Sequence, residues 1–320
     1  MSELETHPCF TAKCSDYARI HLPVAPKCNM QCNYCLRKYS CVNESRPGVV
    51  ARVMVPEDAV DWYLQMKDKV PKLTVAGIAG PGDALANWAT VSRTLSMIRE
   101  VDKDVFFCLS TNGLYLPKYA KEIAALGVDY VTVTVNAITS NTGAHIYSFI
   151  NDDGKKYVGE EAAALLLERQ IEGLQLLGEY GVKVKINTVA ISGVNIQEIP
   201  AIARRMALLG AKLQNILPML PVEGTGFAHL AEPAAEEIMQ LRNVCRQWMP
   251  QMQHCNRCRA DAVGALTNPC VRRKLKLKIR VNRSLTLVCT DFLLNMIFNL
   301  TAFPVLVTIK FIISNLYGRS

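Results

Sequence analysis

Apolar positions along the chain switch between short unbroken runs and a helical repeat. Leu73–Ile78, Val105–Leu109, Tyr130–Val135, Val182–Val189 and Asn215–Met219 are short, apolar and rich in β-branched residues, which predicts strands buried on both faces. Between them, apolar residues return at helical spacing over Pro56–Lys69, where Val60, Tyr63, Leu64 and Met66 form the stripe. The same period predicts helices over Trp88–Val101, Leu116–Leu126, Glu161–Tyr180, Ile196–Leu209 and Pro233–Met249. Arg19 to Val24 alternates as a short first strand. Repeated strand–helix units imply right-handed crossovers and a parallel sheet, hence an α/β fold. Six such strands predict a partial (βα)6 TIM-type barrel, whose chemistry gathers at the C-terminal ends of its strands.

The length, 320 residues, suffices for one barrel with extensions. Four regions are predicted: an N-terminal segment 1–18, the barrel 19–250, a second cysteine segment 251–266 and an atypical tail 267–320. The net charge of +8 first suggests a nucleic-acid binder. Nine of the 36 basic side chains, however, lie in the tail with only Asp291 opposing them, which leaves 27 of each sign elsewhere. A neutral body argues against phosphate-backbone binding, so no nucleic-acid partner is expected. The tail couples a basic run, Val271 to Arg283, to the uncharged stretch Phe292–Ile309. Shifted or extended coding, a partner-binding segment and a membrane anchor are all compatible with it. The first residues carry neither a basic leader nor an apolar run, and the 12 cysteines are clustered rather than scattered, so a reducing cytoplasm is expected.

The clustering carries the chemistry. Cys28, Cys32 and Cys35 form a C-x3-C-x2-C loop directly after the first strand, with Tyr34 before the last cysteine. Three thiols this close cannot all pair as disulfides, and soft donors at this spacing suit iron–sulfur ligation. Three ligands on a four-iron cubane leave one iron open. A zinc knuckle is the alternative, although structural zinc wants a fourth ligand. At the strand ends, Gly80, Gly82 and Asp83 offer close backbone approach and a carboxylate for an ammonium group. Cys108, Ser110, Thr111, Asn112 and Asn136 add a thiol, hydroxyls and amides above the barrel. Cys255 and Cys258 make half a metal site. Its partners must come from elsewhere, with Cys9, Cys41, Cys108, His7 and His21 as the candidates. Whether His21 or His7 supplies a nitrogen ligand stays open at this level.

The three-cysteine loop resembles that of the radical S-adenosylmethionine (SAM) superfamily, in which the open iron chelates SAM. The wider set is similar to the NifB family of nitrogenase cofactor biosynthesis: His7-Pro8-Cys9, His21, Ala25 to Cys35, Asn43 to Gly48, Ala79 to Asp83, Ser110 to Gly113 and Cys255 to Ala262. That resemblance covers roughly residues 7–266. It implies three [4Fe-4S] clusters and SAM. Two of the clusters are fused, with a SAM-derived carbide and an extra sulfur, into an eight-iron cofactor precursor. On this chain it assigns Cys28, Cys32 and Cys35 to the SAM cluster, with Tyr34, Gly80, Gly82, Asp83, Ser110, Thr111, Asn112 and Asn136 around the cofactor. It gives His21, Cys255 and Cys258 to one substrate cluster and Cys9, Cys41 and Cys108 to the other. Glu44, Arg46 and Cys108 are the implied catalytic residues, Glu44 as a proton shuttle. The implied partners are an electron donor such as a ferredoxin or flavodoxin, an iron–sulfur cluster donor and a downstream cofactor carrier. Another radical SAM enzyme with one auxiliary cluster, and a carrier without catalysis, remain as competing functions.

Overall fold

The computed structural model describes residues 6–11, 16–41 and 49–266. Every described residue falls within the compact unit Met1–Val271. The basic and apolar tail therefore lies outside the described residues.

The chain enters on β1 (Ala18–His21), passes through the cysteine loop and the short β2 (Met30–Cys32), and reaches α1 (Pro56–Lys69). Proline opens α1, Glu57 and Asp58 sit in its first turn and Lys67 and Lys69 in its last, each complementing the helix dipole. Then follow β3 (Leu73–Ile78), α2 (Trp88–Val101), β4 (Phe106–Thr111), α3 (Leu116–Ala125) and β5 (Val128–Thr134). An insertion comes next: α4 (Ser140–Ile146) and a hairpin of β6 (Tyr147–Asp152) and β7 (Lys155–Tyr157). The barrel resumes with α5 (Gly159–Glu179), β8 (Lys183–Ala190), α6 (Ile199–Leu208), β9 (Leu213–Pro218) and α7 (Ala235–Cys245), and β10 (Val263–Ala265) ends the described chain.

Strands β1, β3, β4, β5, β8 and β9 lie side by side in that order, all parallel, as six βα units require. The expected α/β half-barrel is what forms. Strand β10 adds antiparallel to the outer edge of β1, so the segment holding Cys255 and Cys258 is tied to the first strand. The insertion was not anticipated. Strand β6 pairs with β2 and thereby clamps the residue range of Cys32 from outside the barrel.

Side chains alternate along each barrel strand. Ile20, Phe107, Leu109, Val184 and Ile186 join Val91, Leu95, Ile98, Ile123 and Leu174 of the helices in the main core. Burying each such side chain contributes about 1.5–3 kcal/mol. The residues between them, Arg19 and His21 on β1, Cys108 and Ser110 on β4, Lys185 and Asn187 on β8, line a pocket inside the barrel. The barrel interior thus carries charged and polar side chains beside apolar ones such as Val75 and Leu217.

Candidate active site

Two pockets meet at Ser110, which lines both. In the first, the side-chain amide of Gln31 donates to the carbonyls of Cys32 and Cys35 (2.9 and 2.6 Å) and holds the loop in a tight turn. Cys28, Cys32 and Cys35 thereby line one space, together with Cys41. Tyr34 is fully buried; its hydroxyl hydrogen-bonds the Cys32 thiol and accepts from Asn136 Nδ2 (2.8 Å). Asn136 Oδ1 accepts from the Val189 amide, so this asparagine links the barrel rim to the cysteine loop. Burial, reinforced by Asp83, pushes the Cys28 thiol up to about 12. Cys32 and Cys35 are raised for the same first reason, although the Arg37 guanidinium beside Cys35 opposes it. Two buried thiols and the half-buried Cys28 fit a positively charged iron cluster, which displaces their protons on binding.

The glycine-rich turn serves this loop. Gly82 N donates to Ala25 O (2.6 Å) and Asp83 N to Lys27 O (2.8 Å), and a Cβ on Gly82 would stand 2.1 Å from Lys27 O. The close approach made by Gly82 is therefore backbone to backbone. The Asp83 carboxylate accepts from the amides of Leu85 (2.9 Å), Ala86 (3.2 Å) and Asn112 (2.6 Å) and from Thr111 Oγ1 (3.0 Å). These donors occupy the roughly four acceptor positions of a carboxylate, so Asp83 positions the turn. Asn112 in turn donates to Asn29 Oδ1 (2.6 Å) and to Cys28 Sγ (3.8 Å).

The second pocket gathers the remaining candidates: His7, Cys9, His21, Cys108, Cys255 and Cys258 all line it. Cys9 and Cys255 pack with Cys258, Met252 and Leu266. His21 and Cys108 stand in register with Gly77 between them, and a Cβ on Gly77 would lie 3.2 Å from His21 Cδ2. The absent side chain makes room for the imidazole. His21 Nδ1 lies 2.9 Å from the carbonyl of Arg259, which can only accept, so Nδ1 carries the proton and Nε2 keeps its lone pair. Burial, and behind it the Arg19 cation, lowers His21 to about 4, so the ring is neutral near pH 7. His7 has the opposite tautomer, because its Nδ1 accepts from the Cys9 amide at 3.0 Å. His21 is thus the imidazole with a nitrogen lone pair to offer. Burial pushes Cys258 up to about 11, with Arg19 pulling the other way.

The structure therefore brings Cys9, His21, Cys108, Cys255 and Cys258 to one pocket, while Cys41 lines the other, beside the first cysteine loop. Glu44 and Arg46 lie outside the described residues. Among the described residues no three His, Cys, Asp or Glu side chains converge on a single metal ion; a four-iron cubane takes its thiolates on separate irons. Sequence reasoning missed Arg19, Lys185 and Asn215, which line the second pocket. For Arg19 and Lys185 the signal was a polar residue at every second position of the strand; Asn215, next to Gln214 in β9, gave none.

A family model described as the radical SAM superfamily matches residues 22–206, from the end of β1 through α6. The chain belongs to the radical SAM superfamily. Within this superfamily it is similar to the FeMo cofactor biosynthesis protein NifB of Klebsiella pneumoniae, 47% identical over 265 residues, which are 81% of this chain and 57% of that one. The protein of the same name from Chlorobaculum tepidum is 44% identical over 82% of this chain and 62% of its own length. The resemblance to NifB read from the motifs is borne out, and the chain spans less than two thirds of these relatives. Among solved structures, methylornithine synthase matches with a TM-score of 0.47 and 10% identity, covering 88% of this radical SAM chain and 83% of the other. Among the described residues no helix is long and apolar enough to cross a membrane.

Proposed function

We propose that this radical SAM protein fuses two [4Fe-4S] clusters, with insertion of a SAM-derived carbide and an extra sulfur, into the eight-iron precursor of the nitrogenase cofactor. One observation carries the reading: five thiols or imidazoles beyond the three-cysteine loop, Cys9, His21, Cys108, Cys255 and Cys258, line a single pocket adjoining that loop. An enzyme acting on an organic substrate has no need for so many soft donors around its substrate space.

In this reading Cys28, Cys32 and Cys35 hold the SAM cluster, and Asp83 and Asn112 fix the loop beneath the cofactor. Bound there, the cluster and SAM supply one electron and a 5′-deoxyadenosyl radical. His21, Cys255 and Cys258 hold one substrate cluster, and all three line the second pocket. Cys9 and Cys108 of the same pocket hold the other, with Cys41 completing it from the neighbouring pocket. An imidazole leaves iron more readily than a thiolate, which suits a cluster that must depart as part of a larger product. Glu44 shuttles protons as the methyl group loses its hydrogens. A ferredoxin or flavodoxin supplies electrons, a cluster donor supplies the substrates, and a carrier protein takes the product.

Anaerobic reconstitution tests this. The protein should take up about a dozen irons as three cubanes, cleave SAM to 5′-deoxyadenosine and yield an eight-iron product. Uptake that stops at one cubane would eliminate the proposal. A protein that fills with iron but never cleaves SAM would be a carrier.

A further inference from the structure

The turn Arg259–Ala262 meets His21 twice. Its Arg259 carbonyl accepts both the Ala262 amide (3.0 Å), which closes the turn, and the proton of His21 Nδ1 (2.9 Å), so both lone pairs of that oxygen are used. The Ala262 carbonyl accepts the His21 amide (2.8 Å). Ala260 inside the turn is wholly buried and rests on the turn after β3, where a Cβ on Gly80 would come within 3.5 Å of it. The side chains of Arg259 and Asp261 bind a different segment. They form a two-pronged ion pair, Nε to Oδ1 at 2.7 Å and Nη2 to Oδ2 at 2.8 Å. Arg259 Nη2 also donates to Val49 O (2.8 Å), and Asp261 Oδ2 accepts from the Ala51 amide (2.9 Å). With the Arg259 side chain 49% exposed, such a pair contributes little to stability by itself. A carbonyl that orients a ring, however, is only as fixed as its own peptide plane, and the pair tethers this one from outside to the segment that leads into α1.

We propose that Arg259 and Asp261 are positioning residues for His21: by clamping their turn to Val49 and Ala51 they hold the Arg259 carbonyl where it fixes the proton on Nδ1 and the direction of Nε2. The inference rests on the reading above that His21 ligates a substrate cluster. Neither side chain lines the second pocket, so both act through the carbonyl. A ring released from that carbonyl can carry its proton on Nε2 instead, and an imidazole protonated there has no lone pair for iron.

The test reads the ring directly, by nuclear magnetic resonance of the full-length metal-free protein labelled with nitrogen-15 histidine, with His21→Ala identifying the His21 signals. The parent should show one tautomer, protonated on Nδ1. Asp261→Ala should mix in the form protonated on Nε2. Asp261→Asn keeps one acceptor oxygen and should return most of the parent pattern; Arg259→Lys, which cannot span both Asp261 oxygens and Val49 O, should fall between. The holoprotein gives the second readout, after anaerobic reconstitution and reduction without SAM, so that no amine of SAM contributes. Pulsed electron paramagnetic resonance should show the strong nitrogen coupling of the parent weakened in Asp261→Ala, and a chelator should strip that cluster about tenfold faster. A parent-like tautomer and coupling in Asp261→Ala and Arg259→Lys would overturn the proposal, even in variants that melt earlier, because the pair would then be structural only. Should Asp261→Ala fail to fold, the same comparison between Arg259→Lys and the parent decides. Failure of the underlying reading looks different: His21→Ala would then keep the nitrogen coupling, while the tautomer shift in Asp261→Ala would remain.

Discussion

His21 and Cys108 stand in register on either side of Gly77, on three adjacent parallel strands. The imidazole occupies the space a side chain on Gly77 would need. Gly77→Val should therefore leave the barrel folded but push the ring off its position. Pulsed electron paramagnetic resonance should show the nitrogen coupling lost, with iron content down by about four. A retained coupling would mean that the ring does not bind iron.

The Asp83 carboxylate ties the turn after β3 to the end of β4 through four protein donors. Asp83→Ala leaves three amides and a hydroxyl without an acceptor in a buried site. The metal-free protein should lose at least about 3 kcal/mol, read by urea denaturation. Asp83→Asn should cost less, since one oxygen still accepts. A variant as stable as the parent would show these bonds to be incidental.

Two glycines make a matched pair. A methyl on Gly82 meets the Lys27 carbonyl at 2.1 Å, and Gly82→Ala should cost about 1–3 kcal/mol and loosen cluster binding. Gly178, inside α5, meets nothing within 4 Å, and Gly178→Ala should stabilise by about 0.5–1 kcal/mol. Thermal melts of the two variants should move in opposite directions.

Away from the site, Asp102 gives a pH signature. Burial raises its carboxyl, but Lys67 (2.7 Å), the Tyr63 hydroxyl and the Asp104 amide outweigh it and hold the group at about 2. The folded state thus binds this proton more weakly than the unfolded chain, whose value is about 3.9. The resulting stability is complete above that value and disappears as pH falls through about 2. The urea midpoint of Asp102→Asn should lie below that of the parent at pH 7, with the gap closing between about pH 4 and pH 2. A gap independent of pH would show that the charge contributes nothing.

The barrel was legible because its signals were local. Leu73–Ile78 and the helices at Pro56 and Trp88 match their predicted bounds, since an apolar run and a helical repeat are decided within a dozen residues. The β6–β7 hairpin was missed although Asp153-Gly154, both at positive φ, is a strong turn signal; its flanking strands are short and half exposed. The thiols and His21 could be picked out by residue type. Their gathering into one pocket could not, because Cys9, Cys108 and Cys255 lie far apart in the chain and share that space only in the folded protein. Arg19 and Lys185 were not singled out from the sequence, and only the folded half-barrel shows that they line its pocket.

The β1–β10 pairing also sets an order of events. Arg19 and Gly264 lie 245 positions apart, and the wall bearing Cys255 and Cys258 exists only after they meet. A chain still lacking its 260s therefore carries the three-cysteine loop complete but leaves the second pocket without one of its walls.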